Sequence, residues 1–195
     1  MEHGNMSTNK PVIWAFAGPN GSGKSTVARS MQSFGTYINA DDLKKEYGLS
    51  DIEAAIQAEA LRNSLLDKGA DFSFETVLST DRNLLLLRKA RNLGYEVQCI
   101  FVLTCDENIN VARVRARHAA GGHGVPEEKI RSRYHRSLAL LPQVIGICDK
   151  ILVYDNSDTP SLIFKKVLTD SELFPNRFWN KTALRKLLGL HKASS

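Results

Sequence analysis

The stretch AFAGPNGSGKST sets Gly18, Gly23, Lys24 and Ser25 at the spacing G-x-x-x-x-G-K-[ST]. Glycines at those places let backbone N–H groups close around phosphate oxygens, where a Cβ would clash or forbid the needed φ. A helix starting behind the loop adds the partial positive charge of its N-terminus. Residues Gly18, Pro19, Asn20, Gly21, Ser22, Gly23, Lys24, Ser25 and Thr26 are therefore expected to bind a nucleotide. Lys24 would reach the β- and γ-phosphates of ATP, and the Ser25 hydroxyl would ligate Mg²⁺.

Two places where an acceptor could bind carry carboxylates. INADDLKKEY places Asp41 and Asp42 just after a strand-like run, where either could serve chemistry or cap the helix that follows. FSFETV places Glu75 at the end of another strand, in alternation with Phe72 and Phe74. A charged residue there is costly unless it is paired or functional.

A third cluster is cationic. RVRARHAAGGHGVPEEKIRSRYHRS holds six arginines, Lys129 and three histidines around a Gly121-Gly122-His123-Gly124 break. Arg113 and Arg117, four apart, share a helix face that Arg115 does not. Gly121 and Gly122 are expected to stop that helix. Pro126 fits the first position of the next, with Glu127 and Glu128 in its favourable first turn. Two arginine-bearing helices hinged by glycines suit a lid over ATP's phosphates. The plainer alternative is two solvated helices whose arginines pair with surface acids.

These residues need a scaffold, and the sequence supplies one. VIWAFA (12–17), TYIN (36–39), DFSFE (71–75), EVQCIFVL (96–103) and KILVYD (150–155) are five candidate strands. The first is a continuous apolar run, as a strand buried on both faces requires. Helical stretches over 25–33, 52–68, 81–92 and 106–119 alternate with them. Ile52, Ile56, Leu61 and Leu65 repeat at helical spacing, and Gly69 is placed to end their helix. Such alternation predicts a parallel α/β sheet. The expected fold is P-loop kinase-like and three-layered: a five-stranded, mainly parallel sheet flanked by helices, with a lid over 106–141. PSLIFKKVLTDSELF could form a hairpin turning at Thr169-Asp170, and 176–191 reads as a basic terminal helix after a single domain with a flexible segment over 1–10.

Composition narrows the function. The 195 residues carry 26 Lys+Arg against 21 Asp+Glu, a net +5 concentrated in one stretch rather than spread along a nucleic-acid-binding face. No apolar run has transmembrane length and MEHGNMSTNK lacks a secretory apolar core, so neither membrane nor export is expected. Cys99, Cys105 and Cys148 have no metal-ligand spacing; Cys99 reads as a small core residue, and the set suits a reducing cytoplasm. A transporter ATPase would need a catalytic Glu after Asp155, where Asn156 stands, and a GTPase would need N-K-x-D after a strand. Asp155-Asn156 either lies near the purine or turns the chain. A small P-loop kinase remains.

The set AGPNGSGKST, INADD, FSFETVLS, GYEVQCIFV and RHAAGGHGVPEEKIRSRYHRSL resembles the zeta toxin family in its short bacterial branch, over about residues 12–156. The resemblance implies a kinase that phosphorylates the 3′-hydroxyl of the amino sugar in UDP-N-acetylglucosamine and is restrained by an antitoxin protein. Carried over by position, the catalytic aspartate is Asp41 and the substrate-contacting glutamates are Glu59 and Glu75. Arg117 matches the first lid arginine, with Arg113 close by. His123 stands where larger relatives have the second, followed by Arg131, Arg133 and Arg136. The expected catalytic set is Lys24, Asp41, Arg117 and Arg133, with Arg113 and Asn156 beside ATP. The alternatives are a kinase for another metabolite and a regulatory ATP-binding protein acting through protein contacts.

Overall fold

The computed structural model describes residues 10–30, 35–122 and 124–190, so all but the last residue of the expected flexible segment, and His123, lie outside the described residues. Strand β1 (Val12–Ala17) sends Ile13, Ala15 and Ala17 into one apolar core and Trp14 and Phe16 into another. A strand with two buried faces has no polar alternation, and this is why VIWAFA is apolar throughout.

β1 sits inside a seven-stranded sheet of order β2-β3-β1-β4-β5-β6-β7. β2 (Thr36–Ile38), β3 (Phe72–Thr76), β4 (Glu96–Leu103) and β5 (Lys150–Asp155) extend a parallel sheet around it. The chain passes to one side of β1 for β2 and β3, then to the other for β4. The carboxyl end of β1 is thus a topological switch point, where open α/β sheets bind ligands. The sheet is wider than the five strands expected. PSLIFKKVLTDSELF does fold as a hairpin, β6 (Ser161–Val167) and β7 (Asp170–Leu173), antiparallel to β5 and to each other. Ile163 and Phe164 anchor it in the core. Its two-residue turn is Leu168-Thr169, one position before the expected one, with Leu168 at φ 55°.

Helices cover both faces. α1 (Lys24–Ser30) packs Ala28 on the Trp14–Phe16 side. α3 (Asp51–Asp67), α4 (Asp81–Asn92), α6 (Glu127–Ile147) and α7 (Lys181–Leu187) supply the larger core on the other. α2 (Ala40–Tyr47) and α5 (Glu107–Ala119) flank the carboxyl ends of the strands. The second half of α6 packs on the sheet, with Leu141, Val144 and Ile147 buried. Pro126 stands at the N-cap position of α6, one residue before the expected first position, with no side-chain capping bond.

Two helices differ from expectation. Gly69, at φ 65°, ends α3 as expected, its N–H and that of Ala70 returning to Leu66 and Leu65. The buried face of α3, however, is Ala54, Ala58, Arg62 and Leu66, while Ile52 is 73% and Ile56 60% exposed. Small alanines let the helix approach the sheet closely, so the large apolar residues mark the wrong face. The terminal helix is shorter than 176–191. The Asn176 side chain accepts from the N–H groups of Phe178 and Trp179 in a turn, and Asn180 caps α7, whose Leu184 is buried. Cys99, 1% exposed on β4, is a core residue. Among the described residues no helix is long and apolar enough to cross a membrane.

Candidate active site

The loop from Gly18 to Gly23 joins β1 to α1, which begins at Lys24. Glycine is required at both ends of it. A Cβ on Gly18, at φ 142°, would stand 2.0 Å from the Val102 carbonyl oxygen, and one on Gly23, at φ 92°, 2.3 Å from Asn156 Nδ2. The loop is tied from outside. Asn110, wholly buried on α5, donates from Nδ2 to the Asn20 carbonyl at 2.6 Å. Asn156 Nδ2 donates to the Ser22 carbonyl at 2.8 Å, and Arg113 Nη1 donates to the Asn156 carbonyl at 2.7 Å. Asn156 therefore joins the end of β5 to the phosphate loop, which is more than turning the chain.

Two adjoining compartments open over this loop and share Gly21, Lys24, Ser25, Asn39, Asp41, Lys44 and Arg117 as walls. The first, about 490 Å³, continues past Thr26, Arg29, Asp42, Arg113 and Gly122. The second, about 320 Å³, continues past Ala54, Glu75, Thr76, Lys129 and Arg133. Lys24 and Asp41 stand at the junction. Asn39 caps α2 by accepting from the Asp41 N–H, so the aspartates are left in the first turn with their carboxylates unused for capping. The Lys24 ammonium lies 3.5 Å from the Pro19 carbonyl. Burial lowers its pKa below the usual 10.5; Glu75 and Asp41 oppose that shift, and Arg117 and Arg133 add to it. Four charges therefore act on Lys24 across one cleft.

Glu75 is a hub. Its register partner on β1 is Phe16, and strand alternation turns it to the same face as Ser73, opposite Phe72 and Phe74. Ser25 Oγ donates to its Oε1 at 2.6 Å, and Tyr37 Oη and Asn39 Nδ2 each donate to its Oε2 at 3.1 Å. Burial, reinforced by the Glu75 charge, raises the Tyr37 pKa well above the usual phenol range, so Tyr37 is a donor at any working pH. Among the described residues no three His, Cys, Asp or Glu side chains group to hold a metal unaided. Ser25 and Glu75 nevertheless suit Mg²⁺, which takes one or two protein oxygens and completes its shell from phosphate and water.

The arginines separate by role. Arg117 lines both compartments and Arg133 the second, its Nη1 3.5 Å from Asn20 Oδ1. Arg115 pairs with Glu127, while Arg131 donates to Glu127, to Glu107 at 2.8 Å and to Asn108 at 2.9 Å, joining α5 to α6. Arg136 bonds back to Ser132 on its own helix. Glu59 is not brought to the cleft: it lies on α3 beside α4, 3.1 Å from Arg82 Nη1.

Tyr37, Asn110 and Lys44 do not stand out in the sequence, and Lys129 does so only as part of the cationic stretch. Asn110 had a usable signal, being the polar residue on the buried face of α5 beside Val111 and Val114. Tyr37 had none, because its role depends on the pairing of β2 with β3.

A sequence model of the zeta toxin family matches residues 2–167. An uncharacterized protein of Haemophilus influenzae is 29% identical over 132 residues, 65% of this chain and 93% of that one. The fold resembles a chain of the AvrRxo1-ORF1:-ORF2 complex crystallised with ATP, at a TM-score of 0.71 and 13% identity over 96% of this chain and 67% of that one. It also resembles a protein of the PezAT toxin-antitoxin system of Streptococcus pneumoniae, at a TM-score of 0.56 and 19% identity over 98% and 84% of the two chains.

Proposed function

Because this chain belongs to the zeta toxin family, we propose that it transfers the γ-phosphoryl group of ATP to a hydroxyl of a nucleotide-activated sugar such as UDP-N-acetylglucosamine. The observation that carries this reading is the meeting of two compartments over Lys24 and Asp41, one walled by the phosphate loop and Arg113, the other by Glu75, Lys129 and Arg133. A nucleotide-holding module needs only the first. A phosphotransferase needs a second space for the acceptor, with a carboxylate where the two meet.

In this reading ATP lies in the first compartment with its phosphates on the loop. Lys24 holds the β/γ oxygens, Thr26 and the loop N–H groups hold the others, and Arg113 and Asn156 fix the wall nearest the nucleoside. Mg²⁺ held through Ser25 would draw charge off the γ-phosphoryl group. Asp41 accepts the proton of the acceptor hydroxyl; that oxygen bonds to the γ-phosphorus as the bond to the bridging β–γ oxygen breaks, and ADP leaves. Arg117 and Arg133 face the equatorial oxygens, where negative charge is shared in the transition state. Glu75 and Asp41 line the acceptor's compartment, and Glu59 stays in the α3–α4 groove. A protein partner that restrains the activity, as in a toxin-antitoxin pair, belongs to the same reading.

The test is to incubate the protein with ATP, Mg²⁺ and a panel of UDP-sugars, other nucleotide-sugars and nucleosides, and to search for an acceptor one phosphoryl group heavier. A product from one acceptor class supports the assignment. ATP hydrolysis with no phosphorylated acceptor from any class would contradict it.

A further inference from the structure

The groove between α3 and α4 shares no wall residue with the two compartments of the candidate site. It encloses about 230 Å³, and its polar lining includes Arg62, Asn63, Arg82, Asn83 and Lys89, with Glu59 as its carboxylate. Arg62 is the unusual member. It is 8% exposed, and its guanidinium lies over the Phe74 ring, 5.3 Å from the centroid. The ring covers the face of the cation but accepts nothing from its edge, where the five N–H donors lie. Among the described residues the Arg62 side chain makes no hydrogen bond and no ion pair, and its Nε is buried without a partner.

The neighbouring charges do not supply what is missing. Glu59 is committed to Arg82 at 3.1 Å, and Lys89 to Asp67 at 2.9 Å. Burial lowers the pKa of Arg62; Glu59 opposes the shift and Arg82 adds to it. A largely buried guanidinium whose Nε has no acceptor is costly, and an apolar residue of similar length would fill the site over Phe74 with less strain on the fold. Asn63 offers an amide beside it, also with no side-chain hydrogen bond among the described residues. A planar fork next to an amide in a small polar groove is complementary to a carboxylate or phosphate oxygen pair.

We propose that the α3–α4 groove is a binding site for a small oxyanion, a phosphate or carboxylate group, gripped by the Arg62 fork and the Asn63 amide. The site is independent of the kinase reading, since its residues form no part of the phosphate loop or the acceptor compartment.

Calorimetric titration tests this with the phosphate loop saturated by Mg²⁺ and a non-hydrolysable ATP analogue, so that its own anion site is filled. Inorganic phosphate forms one arm and succinate the other. The parent protein takes up one of them saturably, and the preferred arm names the chemistry. Arg62→Met weakens that uptake by about tenfold or more, as expected for charge-assisted hydrogen bonds. Arg62→Lys, which keeps the charge without the fork, falls between them and provides the comparison should the methionine variant not fold. The proposal is overturned if the parent protein binds neither anion saturably, or if the folded Arg62 variants bind as the parent does.

Discussion

Ser25 Oγ donates to Glu75 Oε1 at 2.6 Å, joining the start of α1 to the end of the strand beside β1. With its proton directed to Glu75, the hydroxyl keeps its lone pairs for another ligand. In the proposed reading the pair would work as a unit in holding Mg²⁺. Glu75→Gln is expected to weaken Mg²⁺-dependent ADP binding by about 10–100-fold, the usual range for losing a residue that orients a metal ligand. Ser25→Ala should do the same, and the double variant no worse than either. Binding titrations across Mg²⁺ concentrations decide it: fully additive losses would mean that the two residues act separately.

Asp41 and Asp42 share the first turn of α2, yet only Asp41 lines both compartments. Asp41→Asn keeps the size but cannot accept the acceptor's proton, so turnover should fall by ~10²–10⁴ while ATP affinity stays near parental. Asp42→Asn should leave turnover largely intact. Equal losses in kcat would point to a shared structural role.

The arginines offer a sharper contrast. Arg117→Ala and Arg133→Ala should lower kcat far more than they weaken ATP binding, approaching the ~10³–10⁵ that arginines contribute to other phosphoryl-transfer enzymes. Arg115→Ala and Arg131→Ala remove partly exposed ion pairs between α5 and α6 and should cost little in rate. A uniform loss across all four positions would contradict the division.

Lys24 sets a pH dependence. Its folded pKa is lowered by burial from 10.5, so in the free protein the ammonium loses its proton below that pH. A polyphosphate beside it favours the charged form. ATP binding should therefore take up protons in the alkaline range, and affinity should fall as pH rises through the lowered pKa. Calorimetry in buffers of different ionisation heat measures the uptake; binding without proton uptake there would remove Lys24 from the phosphates.

How much of this was legible in the sequence depends on the range of the interaction involved. The phosphate loop was readable because its geometry is local: Gly18, Gly23, Lys24 and Ser25 act within a few residues of one another. The five parallel strands were readable from their apolar runs. The hairpin β6–β7 had no clean period, because only part of it, at Ile163 and Phe164, is buried. α3 misled because its inner face is built from Ala54 and Ala58. Asp41 and Glu75 stood out at strand ends, whereas Tyr37 and Asn110 acquire partners 38 and 90 residues away in sequence. Glu59 shows the limit of positional carry-over: a match in sequence did not bring it to the cleft.

The central claim is that the cleft moves phosphate between two small molecules. Its most direct test follows ATP labelled at the γ-phosphate through one turnover with each acceptor class, in the parent protein and in Asp41→Asn. The account predicts label on an acceptor hydroxyl in the parent protein and almost none in the variant within the same time, with both binding ATP alike. Label appearing only as inorganic phosphate, or reaching the acceptor equally fast without the Asp41 carboxylate, would contradict it.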